Sequence, residues 1–170
     1  MAEIYRVARI GRGFLAVMAR PALHESLHES IQGLVNDHVA IVVSLLEPPE
    51  EAELGLAAEK EECERQGLEF VSFPIRDRAT PADVEGVARL SQWAHARIAA
   101  GRNLVFHCRA GIGRSGMMAA SVLLQEGLSA REAFERISAA RCLTIPDTPG
   151  QFEWVEDNRE KIIRRTEPRI

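Results

Sequence analysis

A ten-residue stretch from His107 to Gly116, with the sequence HCRAGIGRSG, combines a cysteine, two arginines and three glycines. It follows an apolar run, NLVF, that is typical of a buried strand, and it precedes a helical pattern. Cys108 therefore faces the N-terminus of a helix, where free N–H groups and the helix dipole favour an anion. Arg114 adds a cation six residues later. Because only the thiolate form of cysteine attacks, both features predict that Cys108 is a nucleophile.

The glycines of this stretch predict a binding site for a tetrahedral anion. Gly111 and Gly113 let the backbone curl, so that successive N–H groups converge on one point. Arg114 supplies a planar fork of donors that fits two phosphoryl oxygens. The residues expected to line this cradle are Arg109, Ala110, Gly111, Ile112, Gly113 and Arg114. The stretch thus predicts a phosphate cradle with a nucleophile at its floor.

The same residues resemble the signature HCxxGxxR(S/T)G of the cysteine-dependent protein tyrosine phosphatases. The six fixed positions are matched by His107, Cys108, Gly111, Arg114, Ser115 and Gly116. The length of the chain and the segments VVSLLE, FPIRD and IPDTPGQ are most similar to the small dual-specificity-like branch, which includes the cyclin-dependent kinase inhibitor 3 phosphatases and their prokaryotic relatives. Gly113 departs from that branch, because dual-specificity loops often have serine before the arginine. We call residues 107–116 the signature loop.

The resemblance implies roles for residues in and near the signature loop. Asp77, 31 residues before Cys108, matches the family's general acid, in a general-acid loop at residues 75–81. Asp83 is a rival carboxylate, but its position suits the capping of the helix that follows. Ser115 resembles the hydroxyl that stabilises the departing thiolate. His107 is expected to order the loop by hydrogen bonds.

Two further residues have two open interpretations each. Gln151 aligns with a glutamine that positions the water of the second step in some relatives, yet TPGQ is also a helix capping box. Glu47 could orient Arg114 through an ion pair, or it could be a solvated loop acid.

The resemblance implies hydrolysis of phosphomonoesters through a phosphocysteine intermediate, without metal or cofactor. Phosphotyrosine in a protein or peptide is the expected substrate, with phosphoserine and phosphothreonine as further candidates. Arg109, together with Arg76 and Arg78, keeps a phosphoinositide or another small phosphomonoester open as an alternative. A third hypothesis is a module that binds phosphate without hydrolysing a substrate. The intact Cys108 and Arg114 argue against this hypothesis.

Two rival motifs carry less weight. GIGRSG matches the dinucleotide fingerprint GxGxxG, but the 54 residues after Gly116 are too few for the rest of such a domain. HESLH at residues 24–28 formally matches the zinc motif HExxH. Leu27 belongs to the apolar stripe of the helix predicted there, which places His24 and His28 on a solvated face.

The elements that must position these residues follow from periodicity and turn signals. Strands are predicted at residues 4–7, 13–18, 39–46, 68–75 and 103–108. Helices are predicted at residues 22–36, 50–66 and 115–126, and others start at Thr80, Ser129 and Thr148. Strands alternating with helices predict an α/β fold with a mostly parallel central sheet flanked by helices, and with an N-terminal strand hairpin.

Composition argues against several other classes of protein. The chain has 170 residues and a net charge of −4, which argues against a general nucleic-acid binder. Its three cysteines are widely spaced without a CxxC pair, so neither a disulfide framework nor a zinc knuckle is expected. The apolar runs are too short to span a bilayer, and the first residues lack a signal-peptide pattern. We expect one phosphatase domain over residues 1–170, monomeric and cytoplasmic, without stable membrane insertion.

Overall fold

Five strands form one sheet in the computed structural model, which describes residues 3–164. The strands are β1 (Ile4–Ile10), β2 (Gly13–Met18), β3 (Ile41–Ser44), β4 (Glu69–Ser72) and β5 (Leu104–His107). Their order across the sheet is β1-β2-β5-β3-β4. The β1–β2 hairpin is antiparallel and the other three pairs are parallel. The predicted mostly parallel sheet with an N-terminal hairpin is therefore confirmed.

Helices cover both faces of this sheet. They are α1 (Leu27–Asn36), α2 (Pro48–Glu53), α3 (Glu59–Arg65), α4 (Val84–Ala99), α5 (Gly113–Leu124), α6 (Ala130–Arg141), α7 (Pro149–Asp157) and α8 (Arg159–Ile163). Alternate side chains of β5 point to opposite faces. Phe106 packs in the larger core with α4, α5 and α6, whereas Val105 packs with Ile31 of α1 and Cys63 of α3. The strand that leads into the signature loop is thus buried on both sides.

Helix starts follow capping residues more closely than apolar periodicity. Ser129 and Thr148 cap α6 and α7 with the predicted capping boxes. The first helix begins at Leu27 rather than residue 22, because Ser26 and Glu29 form a capping box there. The helix predicted from Thr80 begins at Val84, because the side chain of Asp83 accepts the N–H of Gly86 at 2.8 Å.

Two further differences concern the middle and the end of the chain. The single helix predicted over residues 50–66 is two short helices, α2 and α3, separated by a turn in which Gly55 has a φ of +70°. The last helix is followed by α8, which the sequence analysis did not predict. Strands β3 and β4 are shorter than expected, at four residues each. Among the described helices, none has the length and apolar character needed to cross a membrane.

Candidate active site

The signature loop connects the central strand β5 to helix α5, as the sequence predicts. Cys108 directly follows β5 and is only 3% exposed. Helix α5 begins at Gly113, so Arg114 and Ser115 lie in its first turn, and both are buried. The loop therefore lies at the carboxyl ends of the parallel strands, where α/β proteins bind their ligands.

Contacts with neighbouring elements hold the signature loop in its curled form. Gly111 has a φ of +69°, and a Cβ at this position would collide with the backbone carbonyl of Met18 at the end of β2. Arg20 donates its backbone N–H to the carbonyl of Arg109 at 3.3 Å. Arg141 donates from Nη2 to the carbonyl of Ala110 at 3.1 Å. These contacts fix the backbone at three successive residues of the loop.

Arg114 has a buried carboxylate partner. Its Nη1 donates to Glu50 Oε2 at 2.6 Å, and its Nη2 donates to Oε1 at 3.0 Å, a two-point contact. Nη1 also donates to the carbonyl of Ile75 at 2.9 Å. Burial alone would lower the pKa of Arg114, but the hydrogen bond with Glu50 and the charges of Cys108, Glu50 and Asp77 raise it above its ordinary value. The guanidinium is therefore a fixed cation in the site.

The expected ion pair between Glu47 and Arg114 is replaced by one with Glu50. Glu47 is the N-terminal cap of α2 and donates its backbone N–H to Glu50 Oε2 at 3.1 Å. Because only three residues separate the end of β3 from the start of α2, the first turn of α2 brings Glu50 back toward the signature loop. Burial would raise the pKa of Glu50, but the hydrogen bond and charge of Arg114 lower it overall. Glu50 is thus held as a carboxylate.

Asp77 is brought to the same guanidinium from the opposite side. Its Oδ1 accepts from Arg114 Nη2 at 2.8 Å, and its side chain is 51% exposed. The next residue, Arg78, has a φ of +56°, a left-handed conformation that non-glycine residues rarely adopt. The general-acid loop therefore places a solvent-accessible carboxyl beside Arg114.

Gln151 takes the capping role that the sequence left open, and it also contacts the general-acid loop. It forms the capping box of α7 with Thr148, and it is fully buried. Its Nε2 also donates to the carbonyl of Ala79 in the general-acid loop at 3.3 Å. A Cβ on Gly113 would lie 2.8 Å from the Gln151 amide and 2.7 Å from Asp147 Oδ2. A side chain at position 113 would therefore require Asp147 and Gln151 to shift.

The remaining side chains of the signature loop differ in their partners. Ser115 Oγ is buried and makes no hydrogen bond within residues 3–164, so it is available to a neighbouring group. His107 is fully buried, and its Nε2 lies 2.9 Å from Glu59 Oε1. Arg109 is 41% exposed and lies 3.3 Å from Glu53 and 3.6 Å from Glu50. Arg109 is therefore turned toward α2 by two acids.

A cavity of about 250 Å³ borders the signature loop, and we call it the rim cavity. It is lined by Glu3, Tyr5, Ala19, Arg20, Leu23, His24, Glu25 and Arg141. Arg20 and Arg141 are the residues that bond the loop carbonyls, and the Arg141 guanidinium stacks 4.0 Å above the Tyr5 ring. Leu23 is 47% exposed. The rim cavity thus offers charges of both signs and an apolar side chain next to two residues that contact the signature loop.

The HESLH segment has none of the geometry of a zinc motif. His24 precedes α1, whereas His28 lies within it and contacts Glu62 Oε1 at 2.9 Å. Within residues 3–164, no group of three or more His, Cys, Asp or Glu side chains is arranged to hold a metal ion.

Three residues of the site escaped the sequence analysis: Glu50, Glu59 and Asp147. Glu50 could have been found from the Pro48-Pro49 helix start, because it lies three residues after the capping residue Glu47, in the first turn of the helix. Glu59 and Asp147 have no signal of their own in the sequence, because each meets the signature loop only through tertiary packing.

Solved structures of phosphatases share this fold. A crystal structure of kinase associated phosphatase (KAP), with serine in place of its catalytic cysteine, has a TM-score of 0.86 at 18% identity, covering 98% of this chain and 97% of that one. Tk-PTP in its active form has a TM-score of 0.76 at 28% identity, and the match covers 93% of this chain and 97% of that one. PTPMT1 in complex with PI(5)P has a TM-score of 0.77 at 24% identity, covering 94% and 96%. A search of curated protein sequences finds no match.

A family model matches residues 16–128, which extend from strand β2 through the signature loop to the turn after α5. The model is described as Tc-R-P, polymorphic toxin system, DSP-PTPase phosphatase. It covers more than half of the chain and includes Glu50, Asp77, Cys108 and Arg114. The chain belongs to this family and is a small enzyme of the protein tyrosine and dual-specificity phosphatase class.

Proposed function

We propose that the chain hydrolyses phosphotyrosine in proteins or peptides through a phosphocysteine intermediate. The observation that supports this most strongly is the position of Arg114, which is braced by buried Glu50 and contacts the more exposed Asp77. Such an arrangement leaves one rigid cation for the phosphoryl oxygens and one mobile acid for the leaving group.

In the first step, the thiolate of Cys108 attacks phosphorus, so that a sulfur–phosphorus bond forms as the ester oxygen–phosphorus bond breaks. Arg114 and the N–H groups of the signature loop bind the non-bridging oxygens. Asp77, as the carboxylic acid, gives its proton to the departing oxygen. The products of this step are the free hydroxyl compound and phosphocysteine.

In the second step, water attacks phosphorus and the sulfur–phosphorus bond breaks. Asp77, now a carboxylate, takes the proton of that water, and Gln151 orients the water from its position over Gly113. Ser115 Oγ, buried and without a partner among the described residues, donates to the thiolate as it departs. Inorganic phosphate leaves and Cys108 is regenerated.

Turnover of p-nitrophenyl phosphate in excess chelator tests this chemistry. Cys108→Ser should abolish it, and Asp77→Asn should lower kcat roughly 10²- to 10⁴-fold, the usual contribution of a general acid. Asp83→Asn is the matched control, since Asp83 caps α4 in the same segment and does not contact Arg114 in the described structure. Activity that survives Cys108→Ser, or that requires added metal, would refute the mechanism.

The surroundings of Arg109 and the lining of the rim cavity favour a peptide substrate over a phosphoinositide. Arg109, which could attract an inositol polyphosphate, is turned toward Glu53 and Glu50, and the rim cavity carries acids as well as arginines. The residues that flank a phosphotyrosine in a peptide include charged and apolar side chains. Such side chains can contact the mixed lining of the rim cavity.

A lipid substrate remains the second candidate, because Arg76 and Arg78 are exposed on either side of Asp77. A panel of phosphotyrosine, phosphoserine and phosphothreonine peptides and phosphoinositides decides between the two. Our proposal expects the highest kcat/KM for phosphotyrosine peptides. Higher kcat/KM for a phosphoinositide would favour the second candidate, and tight phosphopeptide binding without hydrolysis would favour a binding module.

A further inference from the structure

Arg141 is a buried cation that the proposed mechanism does not use. It is the last residue of α6 and is 9% exposed. Its Nη2 donates to the carbonyl of Ala110 at 3.1 Å, and its guanidinium lies 4.0 Å above the ring of Tyr5 on β1. Burial of a cation costs free energy unless its partners offset the lost hydration. A cation held between β1 and the signature loop by a ring and a carbonyl therefore indicates a role at that loop.

The hydrogen bond from Arg141 fixes the direction of one peptide group in the signature loop. The peptide bond between Ala110 and Gly111 is trans, and the C=O and N–H of a trans peptide point in opposite directions. Because the Ala110 oxygen is directed at Arg141, the N–H of Gly111 is directed to the other side of the loop. The peptide before it is fixed in the same way, since Arg109 accepts the backbone N–H of Arg20 at 3.3 Å.

The peptide that Arg141 fixes is also one that can turn over. Gly111 has a φ of +69°, and glycine adopts φ of either sign at similar energy. Rotation of the preceding peptide, as between type I and type II turns, therefore costs little at this residue. The close approach of Gly111 to the Met18 carbonyl holds its Cα in place, but it does not determine where the Ala110 carbonyl points. After such a rotation, a carbonyl oxygen would stand where the N–H now stands, and it would repel an anion.

We propose that Arg141 is a positioning residue that holds the peptide between Ala110 and Gly111 in the orientation that presents the Gly111 N–H to the phosphoryl group. This rests on the function proposed above, since the phosphoryl group is that of the substrate. Tyr5 on β1 supports the guanidinium, and the paired strand β2 ends at the Met18 carbonyl that meets Gly111. The β1–β2 hairpin thus supports the loop both directly and through Arg141.

The binding of vanadate, an analogue of phosphate, and the kinetics of p-nitrophenyl phosphate test this role with Arg141→Met. Without the hydrogen bond, both orientations of the peptide should be populated, so the affinity for vanadate should fall about tenfold or more. KM should rise by a similar factor while kcat stays within about twofold of the wild type, because saturating substrate selects the competent orientation. Unchanged vanadate affinity would overturn the proposal, and so would a loss that appears in kcat alone.

Arg6→Met is the matched control. Arg6 also stacks on an aromatic ring, that of Phe14 at 4.5 Å, and it also donates to a backbone carbonyl, that of Asp37 at 3.4 Å. Neither partner belongs to the signature loop, so vanadate affinity and KM should equal those of the wild type. A loss as large as that in Arg141→Met would overturn the proposal, because it would be a general effect of removing a stacked arginine.

Two substitutions of Tyr5 cover the case in which Arg141→Met does not fold. Tyr5→Leu removes the ring under the guanidinium and should weaken the binding of vanadate. Tyr5→Phe keeps that ring and should retain most of the affinity that Tyr5→Leu loses. Equal vanadate affinities in these two variants would overturn the proposal.

Vanadate also separates this role from a contact with the substrate peptide, because it carries no side chain that could enter the rim cavity. A loss in Arg141→Met that is confined to phosphotyrosine peptides would make Arg141 a peptide contact and would overturn the proposal. Failure of the two proposals is distinguishable. A chain that shows the expected differences in vanadate affinity but hydrolyses no phosphomonoester refutes the function. An active chain whose vanadate affinity is unchanged in Arg141→Met refutes the role of Arg141.

Discussion

Arg114 contacts two carboxylates that differ in exposure. The Glu50 side chain is 11% exposed and that of Asp77 is 51% exposed. An entering phosphoryl group can displace Asp77 from Nη2 at small cost, because water solvates the released carboxylate. Water cannot solvate Glu50 in the same way, because its side chain is buried. Glu50 therefore keeps the guanidinium in place during both proposed steps. In the proposed mechanism, Glu50 fixes the position of Arg114 and Asp77 takes part in the reaction.

Replacement of Glu50 should therefore affect stability and activity together. Glu50→Gln leaves Arg114 without its buried counter-charge, and we expect a loss on the order of 3 kcal/mol in the free energy of unfolding at neutral pH. We also expect a lower kcat/KM. Glu53→Gln is the control, since Glu53 pairs with Arg109 at the surface with its side chain 64% exposed, and it should change both quantities little.

The pH dependence of that loss has a defined sign. Because the folded pKa of Glu50 is lowered from 4.5, its contribution is fully present above that value and is lost as the pH falls through the lowered pKa. Thermal unfolding of the wild type and Glu50→Gln at several pH values measures the difference. Melting curves that stay equally far apart under acid conditions would contradict the assignment.

At the scale of elements, the sequence predicts the parts of the site that a local pattern encodes. One contiguous segment contains Cys108, Arg114 and the start of α5. The spacing of these residues in the sequence therefore specifies their geometry. Ser129 and Thr148 start their helices because a capping box is a local motif. The partner of Arg114 required knowledge of where α2 begins, and Asp147 required the packing of the segment before α7 onto Gly113. Such contacts depend on tertiary structure, which periodicity does not report.

The approach of the signature loop to β2 predicts a pair of glycine variants with different outcomes. Gly111 and Gly127 both have positive φ, at +69° and +84°, so alanine is strained at either position. Only Gly111 has backbone atoms of Met18 and Ala19 in the space of a Cβ, whereas nothing lies within 4 Å at Gly127.

Gly111→Ala should therefore abolish phosphate binding and turnover, because the loop must move away from β2. Gly127→Ala should lower the free energy of unfolding by about 1 kcal/mol and keep the activity of the wild type. The binding of vanadate measures the phosphate site of each variant, and turnover of p-nitrophenyl phosphate measures its activity. Equal losses of activity in the two variants would show that φ strain, and not the contact with β2, is the cause.

For the whole molecule, the central position of β5 ties activity to global stability. The strand pairs with β2 on one side and β3 on the other, and helices cover both of its faces. The signature loop continues directly from this strand, so its geometry depends on the pairing of β5. Activity and the fluorescence of Trp93 and Trp154, which pack against the larger core, should therefore be lost at the same urea concentration. Loss of activity at lower urea would mean that the loops around the site unfold separately.

The order of strands also differs from their order in the chain, and this matters during synthesis. A nascent chain that has emerged through residue 100 contains β1 to β4 but has an unfilled space, one strand wide, between β2 and β3. Strand β5, the last to leave the ribosome, fills that space and carries the nucleophile with it. Because Cys108 directly follows β5, we expect the growing chain to assemble the signature loop only when its sheet is complete.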